Sequence, residues 1–297
     1  MIIENEDEVT PAVLKAMSGG KDPRLLQIAS AFVRHMHAFA REVRLTEKEY
    51  EVGLDMLNRI GQATNDSHNE AVLFGDSIGF STLVCLMNNG MGGATETAAA
   101  LLGPFWRMNS PPTKNGDTIV RSKTDGAPLF ANLVIVDQAG KPIPNVEVDV
   151  WHSSPVGLYE NQDPEQADMN LRGKFHTDAE GRFWFRSTRP AGYPVPTHAV
   201  TGDILREQNR HPFRPAHLHF LCYKEGFKTL ITQVFVDDDE YLNSDVVFGV
   251  TRALVGNFQK HESGKAPAED VTGPWFTLDY RLVMEPGTAQ LPQPPIK

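Results

Sequence analysis

Cysteine is nearly absent from this sequence. There are two in 297 residues, Cys85 and Cys222, each inside an apolar stretch, so a disulfide framework is excluded and both read as small buried hydrophobes. Long hydrophobic runs are missing too, and nothing approaches the roughly 18 apolar residues that a membrane span requires. Basic charge is in short supply: 28 Lys and Arg stand against 38 Asp and Glu, a net charge of -10. Without a clustered basic face to grip phosphate, nucleic acid is excluded as a partner, and a small molecule is the better expectation. The opening MIIENEDEVT is acidic where a secretory signal would be basic and then apolar, which makes the cytoplasm the expected compartment. What is present is the composition of a soluble globular chain, 40% hydrophobic and 22% charged, long enough for one large domain or two ordinary ones.

The first third carries helical periodicity. From Pro23 to Val43, Leu25, Ile28, Ala29, Phe32, Met36, Phe39 and Val43 recur at intervals of three and four and form one apolar stripe. Thr46 and Glu49 make a capping box that opens a second helix with the face Tyr50, Leu54, Leu57 and Ile60. A third apolar segment runs from Ala71 to Met87, and a shorter one from Thr95 to Leu102 stops at Gly103 and Pro104. After Trp106 the texture changes. NSPPTKNGD reads as a linker, which places a domain boundary after residue 108. Beyond it, ANLVIV, VEVDVWH, GKFHT, RFWFRS, HLHFLCY and TLITQVFV alternate with turn signals, and no helix-length period interrupts them until Asp245. The expected fold is α+β: an all-helical N-terminal region, residues 1–108, followed by an antiparallel β-sandwich, residues 109–297.

Within the strand RPAHLHF, His217 and His219 leave the same face, their Cα atoms about 6.6 Å apart, so both imidazoles can converge on one metal. The plainer reading is two core histidines, each satisfied by a neighbour. A same-face pair among Leu218, Phe220 and Leu221 bears a double desolvation cost, however, which a shared metal or a full hydrogen-bond network must offset, and this favours the metal. Further ligands are then needed. Asp178, Glu180, Asp237, Asp238 and Asp239 all sit in turn-like stretches and read as solvated turn residues. Tyr159, closing GLY after a strand, and Tyr193, held in AGYPVP between two prolines, are more suggestive, although either alone reads as a ring packed on the sandwich rim.

Taken in order, LLGPFW, GLY, GYPVP, RPAHLHF and TQVF after a helical segment closely resemble the intradiol ring-cleaving dioxygenases of the catechol and hydroxyquinol type, over nearly the whole chain. The resemblance implies a mononuclear Fe(III) held by Tyr159, Tyr193, His217 and His219. Phenolate is a hard anionic donor suited to ferric iron, and the metal would draw both phenols down from their usual pKa of about 10. By the same resemblance Tyr193 acts as a base for the diol proton, Arg214 stabilises negative charge on the ring, and Gln233 orients the oxygen species. The substrates implied are O2 and a small aromatic diol or triol. Asp76, in AVLFGDSIGF, stands where the hydroxyquinol enzymes carry a carboxylate, so hydroxyquinol (1,2,4-trihydroxybenzene) is the expected substrate, with catechol or chlorocatechol as the alternative. The plainer reading of Asp76 is an exposed helix residue. Leu73, Leu102, Gly103, Pro104, Phe105, Val195, Pro196 and Val247 match other pocket positions of the family, whereas THAVTG after YPVP departs from the acidic, glycine-containing stretch expected there. A homodimer joined through the N-terminal helices, with lipid bound between them, is also implied. The rivals are a Zn(II) or Fe(II) enzyme at the same histidines, such as a hydrolase or an extradiol dioxygenase, and a β-sandwich carrier or interaction module without chemistry.

Overall fold

Residues 2–89 and 97–296 are described in this computed structural model, and the chain separates into two compact units, Met1–Asn58 and Arg59–Lys297. The first unit is helical: α1 (Val9–Met17), α2 (Pro23–Glu42) and most of α3 (Glu47–Ala63). Asp22 caps α2 by accepting from the Arg24 and Leu25 amides at 2.8 and 3.0 Å, with Pro23 at the first helical position, where its missing N–H costs nothing. The capping box forms as expected, the Thr46 amide donating to Glu49 and the Glu49 amide to Thr46 Oγ1. The apolar stripe of α2 is on one face, yet Leu25, Ile28, Phe32, Met36, Phe39 and Val43 remain 46–65% exposed in the single chain.

In the second unit the Ala71–Met87 segment is two helices, α4 (Glu70–Ser77) and α5 (Phe80–Asn89), bent by 77° at a break where Gly79 takes a positive φ of 73°. Among the described residues no single helix is long and apolar enough to cross a membrane. A third helix, α6 (Val200–Glu207), interrupts the β region where continuous strand and turn was expected; its face of Val200, Thr201 and Leu205 is buried, but eight residues are too few for a period to stand out.

The strands are β1 (Pro128–Asp137), β2 (Glu147–Trp151), β3 (Arg172–His176), β4 (Arg182–Thr188), β5 (Tyr193–Pro194), β6 (Phe213–Arg214), β7 (His217–Tyr223), β8 (Leu230–Val236), β9 (Val255–Gly256), β10 (Phe258–His261) and β11 (Trp275–Met284). They form a four-stranded sheet ordered β10-β11-β1-β4, a five-stranded sheet ordered β3-β2-β7-β8-β9, and the small pair β5-β6. Pairing is mostly antiparallel, but β1 runs parallel to β11 and β8 to β9, so the sandwich is mixed rather than purely antiparallel. The parallel β11 was not legible as β1's partner because some 140 residues separate them. The two large sheets share one core, with Leu133, Ile135, Phe183 and Leu282 from one meeting Val148, Val150, Leu218, Phe220 and Val234 from the other.

Two expectations need revising. NSPPTKNGD is a structural strap rather than a free linker: the Thr113 amide donates to Lys174 O, the Lys174 amide to Pro111 O, and the Gly116 amide to Trp184 O. The compact units part at Asn58 and Arg59, well before residue 108, because α4 buries Leu73 against Val195 and Val247 of the β region. Of the helix expected from Thr95 to Leu102, residues 95 and 96 lie outside the described residues, and 97–102 is not helical. The side chains of β8 hold it there, Thr232 Oγ1 donating to Ala98 O and Gln233 Nε2 to Leu101 O, and these tertiary bonds override the helical spacing.

Candidate functional site

The core-facing residues of β7 are Leu218, Phe220 and Cys222, so alternation sends His217 and His219 to the other face of the sheet. Cross-strand register then sets a row of neighbours on that face: Arg172 on β3, Trp151 on β2, His219 on β7 and Gln233 on β8. Trp151 stacks on the His219 ring at 4.5 Å and 10° and fixes its plane. Two loops bring the tyrosines. The β5-β6 pair places Tyr193 opposite Arg214, while the turn after β2 delivers Tyr159, which stacks on Phe105. Gly157, at a φ of 80°, lets these loops touch: a Cβ there would lie 3.0 Å from Tyr193 Cβ and 3.2 Å from Gly192 O.

The result is a cluster of four donor atoms. Tyr159 Oη lies 3.3 Å from Tyr193 Oη and 3.1 Å from His219 Nε2, and His219 Nε2 lies 3.0 Å from His217 Nε2. His217 Nδ1 contacts Pro215 O at 2.7 Å; a carbonyl only accepts, so the proton is on Nδ1 and Nε2 presents a lone pair to the cluster. Burial holds both imidazoles far below the usual histidine range, with the Arg214 charge adding to this at His217 and the His217 ring at His219. Burial likewise pushes both phenols up, against the pull of the Arg214 guanidinium.

This set fits a metal cation. Two neutral imidazoles and two phenols leave more lone pairs than protons, and their donor atoms stand 3.0–3.3 Å from one another along the cluster. Metal–ligand bonds of about 2.0–2.2 Å separate neighbouring donors by about 2.9–3.4 Å, the range of the spacings here. Among the described residues no group of three His, Cys, Asp or Glu could hold a metal, so the tyrosines are what complete the set.

Arg214, 3% exposed, donates through Nη1 to His217 Nε2 at 3.2 Å, through Nη2 to Gln233 Oε1 at 3.0 Å, and through Nε and Nη2 to Asp245 at 3.2 and 3.3 Å. Burial works against its charge, but the Asp245 carboxylate outweighs this and raises its pKa. Gln233 is fully engaged, its Nε2 donating to Leu101 O at 2.6 Å. Asp245 was missed by sequence reading, since nothing in NSDVVFG distinguishes it from a turn carboxylate; it also accepts from the Val247 and Gly249 amides. Trp151 was missed as well, although its register opposite His219 follows from pairing VEVDVW with HLHFLCY.

Asp76 is buried at 4% exposure rather than displayed on its helix, and burial raises its carboxyl to about 6 despite a hydrogen bond from Ser81 and the Arg214 charge. Leu73, Val195 and Val247 pack in one cluster with Leu101, Leu205 and Val246. Leu102 and Phe105 belong to the cluster around Tyr159 and Tyr193. Gly103 has a φ of 74°, and a Cβ there would lie 3.5 Å from the His219 ring, while Pro104 and Pro196 are partly buried. The turn acids Asp178 and Asp239 bond to nearby backbone amides, and Asp238 pairs with Arg189.

Residues 101–283 match the family model described as dioxygenase, and residues 22–95 match that described as the catechol dioxygenase N terminus. The chain is 36% identical over 283 residues to hydroxyquinol 1,2-dioxygenase of Rhizobium sp. (strain MTP-10005), covering 94% of this chain and 95% of that protein. It is 37% identical over 277 residues to catechol 1,2-dioxygenase of Candida albicans, covering 92% and 90%. The crystal structure of hydroxyquinol 1,2-dioxygenase from Pseudomonas putida DLL-E4 superposes with a TM-score of 0.86 at 34% identity, over 95% of this chain and 99% of that one.

Proposed function

From the premise that this chain belongs to the intradiol ring-cleaving dioxygenases of the catechol dioxygenase family, we propose that it inserts O2 into hydroxyquinol and cleaves the ring between adjacent hydroxyl-bearing carbons. The product would be 3-hydroxy-cis,cis-muconate, the enol form of maleylacetate. The observation that carries the reading is the four-donor cluster of Tyr159, Tyr193, His217 and His219, with Arg214 and Gln233 bonded to each other beside it.

Those four side chains would hold Fe(III), which as a Lewis acid bound to the deprotonated diol would open the ring to attack by oxygen. The remaining chemistry falls to the chain. Tyr193 Oη would take the proton of a diol hydroxyl; burial raises its phenol, so the phenolate that must exist before transfer depends on the bound cation, with the Arg214 charge acting in the same direction. Arg214, fixed by Asp245, keeps its positive charge beside carbon that becomes electron-rich. Trp151 and Phe105 hold the His219 and Tyr159 rings and keep bulk water from that side. A third ring hydroxyl is favoured by Asp76, a buried acceptor whose partner would be missing with catechol. The second reading is catechol or chlorocatechol cleavage, which the similarity to the Candida albicans enzyme supports.

Oxygen uptake on hydroxyquinol, catechol and 4-chlorocatechol tests the choice. Wild type should prefer hydroxyquinol, and Asp76→Ala should lower its kcat/KM about 10- to 100-fold while sparing catechol; an unaltered preference overturns the selectivity argument. Phenolate-to-iron charge transfer should colour the pure protein red, and a colourless active protein would exclude this ligand set. A cytoplasmic homodimer with lipid between its helices belongs to the same reading, supported by the uncovered stripe of α2; light scattering and lipid extraction test it.

A further inference from the structure

The residues around Asp76 and Val247 are held by a clasp outside the donor cluster. Helix α4 ends at Ser77, whose carbonyl is one of the last without a partner inside the helix. Arg210 Nη1 donates to it at 2.9 Å, while Nη2 of the same guanidinium donates at 2.7 Å to Val246 O, the carbonyl just before Val247. The face of that guanidinium lies 4.9 Å from the centre of the Phe248 ring. The backbone of Arg210 is itself anchored to the end of α6 through its amide bond to Leu205 O. One residue therefore ties three elements that carry the expected pocket residues: α4 with Leu73 and Asp76, α6 following Val195 and Pro196, and the segment carrying Val247.

Segment 245–249 would not hold its shape unaided. Phe248 has a φ of 58°, a left-handed conformation that a bulky aromatic rarely adopts. Asp245 accepts from the Val247 and Gly249 amides, Thr82 Oγ1 donates to Val247 O, and the Phe248 ring needs the open side of Gly79, where a Cβ would stand 3.2 Å away. Outside it is a hollow of about 470 Å³ bordered by Arg210, Val246 and Phe248, into which the segment can relax if released. The other end of α4 is latched independently, Glu70 Oε1 accepting the Thr201 amide of α6 at 2.7 Å. With α4 and α6 pinned at that end, Arg210 is the contact that joins the C-terminal end of α4 directly to the Val246 carbonyl, beside the Thr82 bond to Val247 O.

We propose that Arg210 is a specificity-determining positioning residue: its guanidinium bridges Ser77 O and Val246 O, and the bridge sets how closely a ring must approach Asp76. This rests on the reading that Asp76 receives a third ring hydroxyl, and it assigns the selectivity to a residue that touches no substrate. The bridge needs two donors in one plane and a flat face for Phe248, which an ammonium cannot supply.

The test is oxygen uptake by iron-loaded wild type, Arg210→Gln, Arg210→Lys and Phe248→Gly on hydroxyquinol and catechol. For Arg210→Gln the ratio of the two kcat/KM values should fall at least fivefold, through a higher KM for hydroxyquinol, with kcat on catechol within twofold of wild type. Arg210→Lys should fall with it, and Phe248→Gly, which keeps both carbonyl bonds, should fall by about half as much on a logarithmic scale. An unchanged ratio in Arg210→Gln, or a full rescue by lysine, overturns the proposal. Should Arg210→Gln not fold, wild-type ratios in both other variants overturn it equally. The wild-type ratio by itself tests the substrate reading: a preference for catechol removes hydroxyquinol, while a shift in the variants still supports the clasp. Wild type inert on both diols sinks the two together.

Discussion

The four-stranded and five-stranded sheets contribute alternate residues to one core, and they differ in what the other face does. On the four-stranded sheet that face is wet: Asn132, Trp184, Asp279 and Arg281 border an open hollow of about 700 Å³ that contains none of the donor residues. On the five-stranded sheet the corresponding face is covered, and Trp151, Arg172, His217, His219 and Gln233 are each at most 2% exposed. Two sheets with the same inward pattern thus have opposite outward chemistry. The lesson is that polar groups on a sheet become reactive when loops take them out of water, because desolvation shifts their protonation and strengthens each charge. The Tyr159 and Tyr193 loops and the 97–102 strap supply that cover.

The largest effects should separate the two outer faces. His219→Ala removes one of the four donors and should lower ring-cleavage activity by on the order of 10⁴-fold, with loss of bound iron and of the visible band. Trp184→Ala, at 39% exposure on the wet face, should leave activity within twofold. Equal losses in the two variants, measured by oxygen uptake at matched protein concentration, would break the comparison.

The inner faces should respond alike. Phe183 on β4 and Phe220 on β7 are fully buried and meet with ring centres 6.2 Å apart. Phe183→Ala and Phe220→Ala should each cost about 3–5 kcal/mol in urea unfolding, since both leave a cavity in the same core. A marked asymmetry would mean that the five-stranded sheet draws its stability from the bound metal, and repeating the titration on iron-free protein would reveal it.

How much of this could be read from the sequence follows the same division. Alternation in ANLVIV and HLHFLCY exposed the inner faces, and the same period of two sent His217 and His219 outward together. Tyr159 and Tyr193 were expected as ligands only through resemblance, because loops carry no periodicity from which a direction can be read. Asp245 was invisible for a related reason: its importance lies in facing Arg214 across 31 residues, a contact no local pattern encodes. Helix α6 and the parallel pairing of β1 with β11 were missed because short helices and distant partners are decided by packing rather than by propensity. The linker reading of NSPPTKNGD came from composition, and a proline-rich stretch can be a strap as readily as a linker.

Asp76 offers the smallest effect and the sharpest sign. Burial raises its folded-state carboxyl to about 6 from 3.8, so the folded protein holds this proton over a pH range where the unfolded chain has already lost it. Stability is therefore favoured below about pH 4, declines as pH rises toward 6, and levels off above that, with a total cost of about 3 kcal/mol from this group. Asp76→Asn removes the titration, so the variant should unfold at higher urea than wild type at pH 7.5, with the advantage shrinking toward zero near pH 4. If the gap between the two is the same at both pH values, the carboxylate is solvated and cannot discriminate a ring hydroxyl. A gap that opens with pH, together with lost preference for hydroxyquinol, would show a group kept at a cost to the fold because the covered face needs an acceptor there.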